Sequence, residues 1–261
     1  MNATCELTEQ DVRAMVRLLG EVASLQADHA TCKRELMNGL CRLIQGDCWV
    51  WALMCQPGDG RPQVYTSMLH DGFDSDRLNR LMEANDHPEM SWVARRFFEE
   101  LQQRGKHITR ARHQIISDDD FSRTQAFEGW TRADIGSLIL SMVPLEGESG
   151  SFVGIYRRSQ APAFTERECR IAHIVLSEVT WLHGQGWPED RGVTVPQLSP
   201  RQRNVLNWLI MGYDRKKIAD LMGISPNTVA GYTKEIYRHF GVNTQAALQA
   251  RFFSGDGGDR I

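Results

Sequence analysis

The stretch "SPNTVAGYTKEIYRHFGV", Ser225 to Val242, sets Asn227, Gly231, Lys234 and Arg238 four, three and four residues apart. On a helix of about four turns, that spacing lines them up on one face. Val229, Thr233, Ile236 and Phe240 fall on the other face and form a packing side. Two cations, an amide and a residue without a side chain make poor catalytic machinery. They suit a polyanion, because lysine and arginine neutralise phosphate and amide or guanidinium groups read base edges.

Other chemistry-bearing residues do not assemble into a reaction. Cys32, Cys41, Cys48 and Cys55 are spaced by nine, seven and seven, without the close pairs that structural zinc prefers. They read as small core residues. Asp118-Asp119-Asp120 reads as a solvated acidic loop. The chain has no phosphate loop, no G-x-S-x-G and no H-E-x-x-H. No enzyme activity, metal or cofactor is expected.

Stepping along the chain from Leu198 shows what must hold the stripe. Ser199 is a candidate N-cap, Pro200 a first helical residue and Gln202 the return partner of a capping box. Val205, Leu206, Leu209 and Ile210 make an apolar face that stops at Gly212. A short helix from Arg215 to Met222 turns at Gly223 into the Ser225-Pro226 cap of the striped helix, and a fourth helix runs from Thr244 to Arg251. Two helices joined by a tight glycine turn, with a basic stripe on the second, spell a helix-turn-helix.

The run "LSPRQRNVLNWLIMGYDRKKIADLMGISPNTVAGYTKEIYRHFGVNTQAALQARF" resembles the C-terminal DNA-binding domain of LuxR/NarL-type transcription regulators. The matching residues include Leu198, Arg201, Val205, Leu206, Gly212, Ile218, Ala219, Leu221, Ile224, Ser225, Thr228, Val229, Gly241 and Val242. The resemblance implies that the third helix enters the major groove of double-stranded DNA and that the fourth contributes to dimer contacts. The site residues it suggests are Lys234, Arg238, Asn227, Thr228, Gly231, Ala230 and Tyr232, with Lys216 and Lys217 on phosphate. Three positions depart from the usual pattern: Gln202 stands for glutamate, Ala230 for lysine and Tyr232 for histidine. Glycine in a helix interior costs ~1 kcal/mol relative to alanine. Gly231 beside Ala230 is therefore read as allowing close approach of the backbone to DNA.

Charge divides the chain in the same place. Residues 198–251 carry eight Lys/Arg against three acids, while the rest carries 22 bases against 30 acids. A basic tail on an acidic body fits a polyanion-binding module attached to something else. Residues 184–197, GQGWPEDRGVTVPQ, read as the linker, and 253–261 as a flexible end. The beginning, MNATCELTEQD, has neither the basic nor the apolar region of a signal peptide. No apolar run suffices to span a membrane. The expected location is the cytoplasm.

Residues 1–183 read as an α+β domain. Helices are expected over Thr8–Gln26, Thr31–Ile44, Ser91–Gln103 and Thr165–His183. Strands are expected over Cys48–Met54, Gln63–Leu69, Ser137–Val143 and Ser151–Arg157. This order predicts an antiparallel sheet with flanking helices and resembles a GAF-like, PAS-related sensor domain. That resemblance implies a ligand face, with Trp49, Trp51, Tyr65, Phe73 and Trp130 as candidate pocket residues, and dimerisation through the first and last helices. The front half lacks the strand-first order and late lysine of a receiver domain, and the Asp-Pro of an acyl-homoserine-lactone site. The expected protein is a homodimeric DNA-binding regulator with a small-molecule effector, and with RNA polymerase as a candidate partner. The alternatives are a lactone-type quorum-sensing regulator and a DNA-binding protein whose front half only dimerises.

Overall fold

A computed structural model describes residues 6–55, 64–85, 87–145, 149–184 and 198–253. The chain divides into two compact units, with one division between His183 and Gly184. The front part runs α1 (Glu9–Ala23), α2 (His29–Ile44), β1 (Cys48–Cys55), β2 (Val64–Asp71), α3 (Ser75–Asn85), α4 (Glu89–Val93) and α5 (Arg95–Arg104). It continues through β3 (Ile108–Ala111), α6 (Arg112–Ile115), α7 (Asp118–Ser122), α8 (Gln125–Arg132), β4 (Ser137–Leu145), β5 (Ser149–Arg157), α9 (Glu166–Ser177) and α10 (Thr180–His183). The five strands form one antiparallel sheet in the order β2-β1-β5-β4-β3.

Period-two alternation assigns the faces of this sheet. Trp49, Trp51, Leu69, Ala111, Ile139, Val153 and Ile155 point into one core with the apolar sides of α1, α2 and α9. Residues of opposite parity face α3 and α8: Tyr156 packs on Phe73 and Trp130, and the Cys48 thiol meets Arg77. Helices thus cover both faces.

Local signals explain the helix starts. Thr8 and Asp11 close a capping box on α1, and Thr165 and Glu168 close another on α9. The capping carboxylate of Asp11 also takes the Nε of Arg167 at 2.9 Å, joining α1 to α9. That guanidinium holds the carboxyl down at about 2, against the smaller opposing effect of burial.

Arg157, 2% exposed, gathers distant segments. Its guanidinium donates to the carbonyls of Ile44, Gln45, Pro162 and Ala163 and to the Glu168 carboxylate at 2.6 Å, with Phe164 against its face. A buried cation is tolerable only with such a full set of acceptors.

Three expectations change. The helix expected over Thr165–His183 breaks after Ser177, whose hydroxyl bonds back to the Ile174 carbonyl and competes with helix continuation. Ser91–Gln103 is likewise two helices meeting at Ala94. Asp118-Asp119-Asp120 is the first turn of α7, capped by Ser117, where carboxylates favour the positive end of the helix dipole.

The second unit contains α11 (Pro200–Ile210), α12 (Arg215–Met222), α13 (Pro226–Phe240) and α14 (Gln245–Phe253). Its core includes Val205, Leu206, Leu209, Ile210, Ile218, Val229, Ile236 and Leu248. Gly223 takes the left-handed conformation, φ +63°, at the turn between α12 and α13, where a side chain would be strained.

Candidate DNA-recognition face and ligand face

In the front domain, the sheet separates the expected pocket residues. Trp49 and Trp51 lie under the helices, the reverse of the side expected for them. Trp49 Nε1 donates to Asn38 Oδ1 at 2.9 Å, and Trp51 stands between Lys33 and His183. Alternation along β1 separates these two from Cys48 and Val50, and the helices α1, α2 and α9 cover the tryptophan side. Phe73 and Trp130 do come together on the opposite face, joined by Tyr156 and Phe121, with ring centroids 5.0–6.5 Å apart. Trp130 is 2% exposed, and its indole N–H has no hydrogen-bond partner among the described residues. The side chain of Tyr65 lies outside the described residues.

The cysteines are poor reaction centres. Burial pushes the Cys41 and Cys48 thiols up to about 12 and raises Cys32 as well. Such thiols stay protonated and unreactive near neutral pH. The side chain of Cys55 lies outside the described residues. Among the described residues no three His, Cys, Asp or Glu side chains are grouped to hold a metal. No helix among them is long and apolar enough to cross a membrane.

The second unit displays the stripe. Ser225 caps α13 through the Thr228 N–H at 3.1 Å, and Pro226 occupies its first turn. Val229, Thr233 and Ile236 are buried, which leaves Asn227, Thr228, Gly231, Lys234 and Arg238 turned outward and exposed. Ala230 is half-buried at the edge of the stripe, while Tyr232 packs partly against the core. Lys216 and Lys217 are exposed in the first turn of α12, where Asp214 caps the Lys217 N–H. A Cβ added at Gly231 would meet nothing within 4 Å. Intramolecular packing therefore does not demand this glycine.

Residues 196–250 match the family model for bacterial regulatory proteins of the luxR family. They form a LuxR-type DNA-binding domain. No curated protein matches the sequence. Among solved structures, the chain is similar to SdiA in complex with octanoyl-rac-glycerol, at 13% identity over 94% of this chain and 95% of that one, TM-score 0.42. It is similar to Escherichia coli SdiA at 14% identity over 92% and 95%, TM-score 0.35. Similarity to the VqsR LBD domain from Pseudomonas aeruginosa covers 67% of this chain and 94% of that one, at 14% identity and TM-score 0.43. TM-scores this low establish no shared fold.

The LuxR-type domain adds a cation that the sequence reading passed over. Arg215 opens α12 and lines a groove with Ala230, Lys234, Tyr237 and Arg238. Its place directly after the Asp214 cap is the sequence signal that could have found it. Three positive side chains thus border one groove along the recognition helix. Gln202 also acquires a role: its Oε1 accepts the Ser199 N–H at 2.6 Å while its amide donates to Glu235. On the far side of the domain, Gln245 and Gln249 tie α14 to the carbonyls of Leu209, Ile210 and Tyr213 at the end of α11.

Proposed function

We propose that the protein is a homodimeric transcription regulator whose front domain binds a small apolar or aromatic molecule, with one polar acceptor, on the Trp130 face. The observation that carries the ligand reading is the buried, partnerless Trp130 N–H. A donor withdrawn from water without an acceptor costs about 1–3 kcal/mol, and a ligand carbonyl or hydroxyl would relieve that cost. Phe73, Phe121 and Tyr156 would supply the apolar walls.

Dimerisation is supported by α1. Met15, Leu18 and Val22 are spent on the core, yet Val12 and Val16 remain 46% and 64% exposed on a neighbouring stripe. Two such stripes facing each other would present two recognition helices to an inverted repeat with half-sites about one helical turn apart. DNA contact falls to Lys234, Arg238, Asn227 and Thr228, with Gly231 and Ala230 admitting the backbone and Lys216, Lys217 and Arg215 on phosphate. This reading includes RNA polymerase as a further partner, a cytoplasmic location and no catalytic activity.

A front half that only dimerises is favoured by the close ring packing around Trp130, which fills much of that face by itself. Native mass spectrometry of the full chain separates the two. The proposal expects a dimer retaining a small molecule, with the molecule lost from Trp130→Phe and the dimer kept. A ligand-free dimer whose DNA binding answers to no extract or compound would leave dimerisation alone.

A further inference from the structure

Three histidines that play no part in this reading meet under the helix layer of the front domain. The His107 and His173 rings meet tilted at 32°, 4.7 Å between centroids, His107 and His183 lie 6.0 Å apart, and His183 rests on Trp51 at 5.0 Å. Register sets the hydroxyls between them, because Thr109 on β3 pairs with Ser141 on β4 and their side chains share a face. Both are buried. The contacts form a chain: His107 Nε2 to Ser141 Oγ at 2.7 Å, Ser141 Oγ to Thr109 Oγ1 at 2.8 Å, and Thr109 Oγ1 to His173 Nδ1 at 3.1 Å, with Thr109 Oγ1 also 3.3 Å from His107 Nε2.

Counting protons gives this chain a direction. Each hydroxyl has one hydrogen to donate, and a neutral imidazole has one N–H. With both imidazoles neutral, His107 Nε2–H donates to Ser141, Ser141 to Thr109 and Thr109 to His173 Nδ1, satisfying every atom along the way. A proton added at the His173 end turns the Thr109 hydroxyl toward His107 Nε2, directly or through Ser141, and leaves a hydrogen on His107 Nδ1. That nitrogen is buried and has no hydrogen-bond partner among the described residues. A proton added directly to His107 arrives at the same place. His183 is similarly committed, since its Nε2 faces the Leu176 carbonyl at 2.8 Å and must donate there.

The charges around the cluster are unfavourable to a further cation. Lys33 on α2 lies over the far side of the Trp51 ring, 4.6 Å from its centroid. Arg110 on β3 and Arg104 on α5 act on His173, with Glu100 paired to both arginines. His29 on α2 meets the ring of Trp181 on α10 edge-on, 6.5 Å between centroids. Burial, followed by its two neighbouring imidazoles, holds His107 down at about 3. Burial, with Lys33 adding to it, holds His183 at about 4 against the opposing Leu176 bond. Burial lowers His173 too.

We propose that the His107–Ser141–Thr109–His173 chain and His183 form an acid-sensitive latch that fastens α10, the last helix before the segment leading to the DNA-binding domain. A histidine whose folded pKa is depressed stabilises the closed state above its free value of about 6.5. That contribution is lost as pH falls from there toward the folded values, because the open state then binds more protons. Opening α10 exposes His183 and uncovers His107, and it lengthens the segment joining the two domains by roughly six residues. His183 alone shifts the opening equilibrium about 30-fold between pH 7.5 and pH 5.

Hydrogen–deuterium exchange on the full chain tests the latch, after correction for the intrinsic pH dependence of exchange. The amides of 176–183 should lose about 30-fold or more of their protection at pH 5 relative to pH 7.5, while β5 and the middle of α2 keep theirs. In the double variant His107→Gln/His183→Gln, which can donate the same bonds without titrating, that pH dependence should fall severalfold, leaving only the share of His173. Three outcomes overturn the proposal: unchanged protection of 176–183 in the wild type, an equal loss throughout α2 and β5, or a double variant that responds like the wild type. If the double variant does not fold, the wild-type comparison of 176–183 with α2 and β5 decides alone.

Discussion

The amide of Gln202 donates to the Glu235 carboxylate, tying the first turn of α11 to the recognition helix α13. A glutamate at this position would still cap α11 but would set two carboxylates against each other. Gln202→Glu should therefore destabilise the tail by about 0.5 kcal/mol at low salt, the scale of like-charge neighbours on a surface. Adding Glu235→Gln should restore the loss. Denaturant melts of the four tail variants measure the coupling, and a Gln202→Glu tail as stable as the wild type would dismiss it.

Lys234→Ala should remove most sequence-specific DNA binding and leave the fold intact, since the side chain is exposed and helps no core contact. A good base contact is worth roughly 1–3 kcal/mol, or about 5–150-fold in affinity. Anisotropy titrations at one fixed, moderate salt concentration decide this. Unchanged affinity would mean that α13 meets DNA with another face.

Open space around Gly231 sharpens the prediction there. Gly231→Ala should stabilise the tail by up to ~1 kcal/mol through helix propensity alone, with no gain in DNA affinity. Gly231→Leu should fold equally well and bind much more weakly, because its side chain would fill the gap between helix and DNA. Equal affinity for the leucine variant would remove the close-approach account.

Two of the buried tryptophans, Trp51 and Trp130, should behave differently. Trp51→Ala empties the core between Lys33 and His183 and should cost roughly 3–5 kcal/mol, seen as early melting of the front domain. Trp130→Phe removes only the unsatisfied N–H and part of one ring. It should keep stability within about 1.5 kcal/mol while changing the response to ligand. A Trp51→Ala protein that melts normally but no longer responds would return the pocket to the helix side.

Val16→Asp should convert the proposed dimer to monomer in sedimentation experiments at micromolar concentration, because it places a charge in the middle of the exposed α1 stripe. Binding to an inverted repeat should weaken sharply, while the isolated tail should bind a single half-site as before. A variant that remains dimeric would move the interface elsewhere.

Legibility followed how local the determining physics was. Ser199, Pro200, Gly223 and Ser225 fixed the DNA-binding helices from sequence because caps and left-handed turns depend on a few neighbouring residues. The four longer strands were readable from apolar runs. β3, with only four residues, was not, and α3 and α6–α8 lacked a long periodic face. Neither the side on which Trp51 points nor the meeting of His107 with His173 and His183 could be read. Both depend on which distant elements cover each face of the sheet. Arg215 was legible in kind, as a cation, but its groove exists only once α12 and α13 cross.

Arg157 joins carbonyls at 44–45 and 162–163 to a carboxylate at 168, so its bonds reach across more than a hundred residues of chain. During synthesis the guanidinium emerges long after α2, yet it must wait for Phe164 and Glu168 before it can be enclosed. The front domain therefore cannot complete its core one hairpin at a time. Enclosing that cation requires α9 to have left the ribosome, because Glu168 lies in its first turn. A nascent chain stalled before residue 168 would hold Arg157 without the carboxylate that neutralises it.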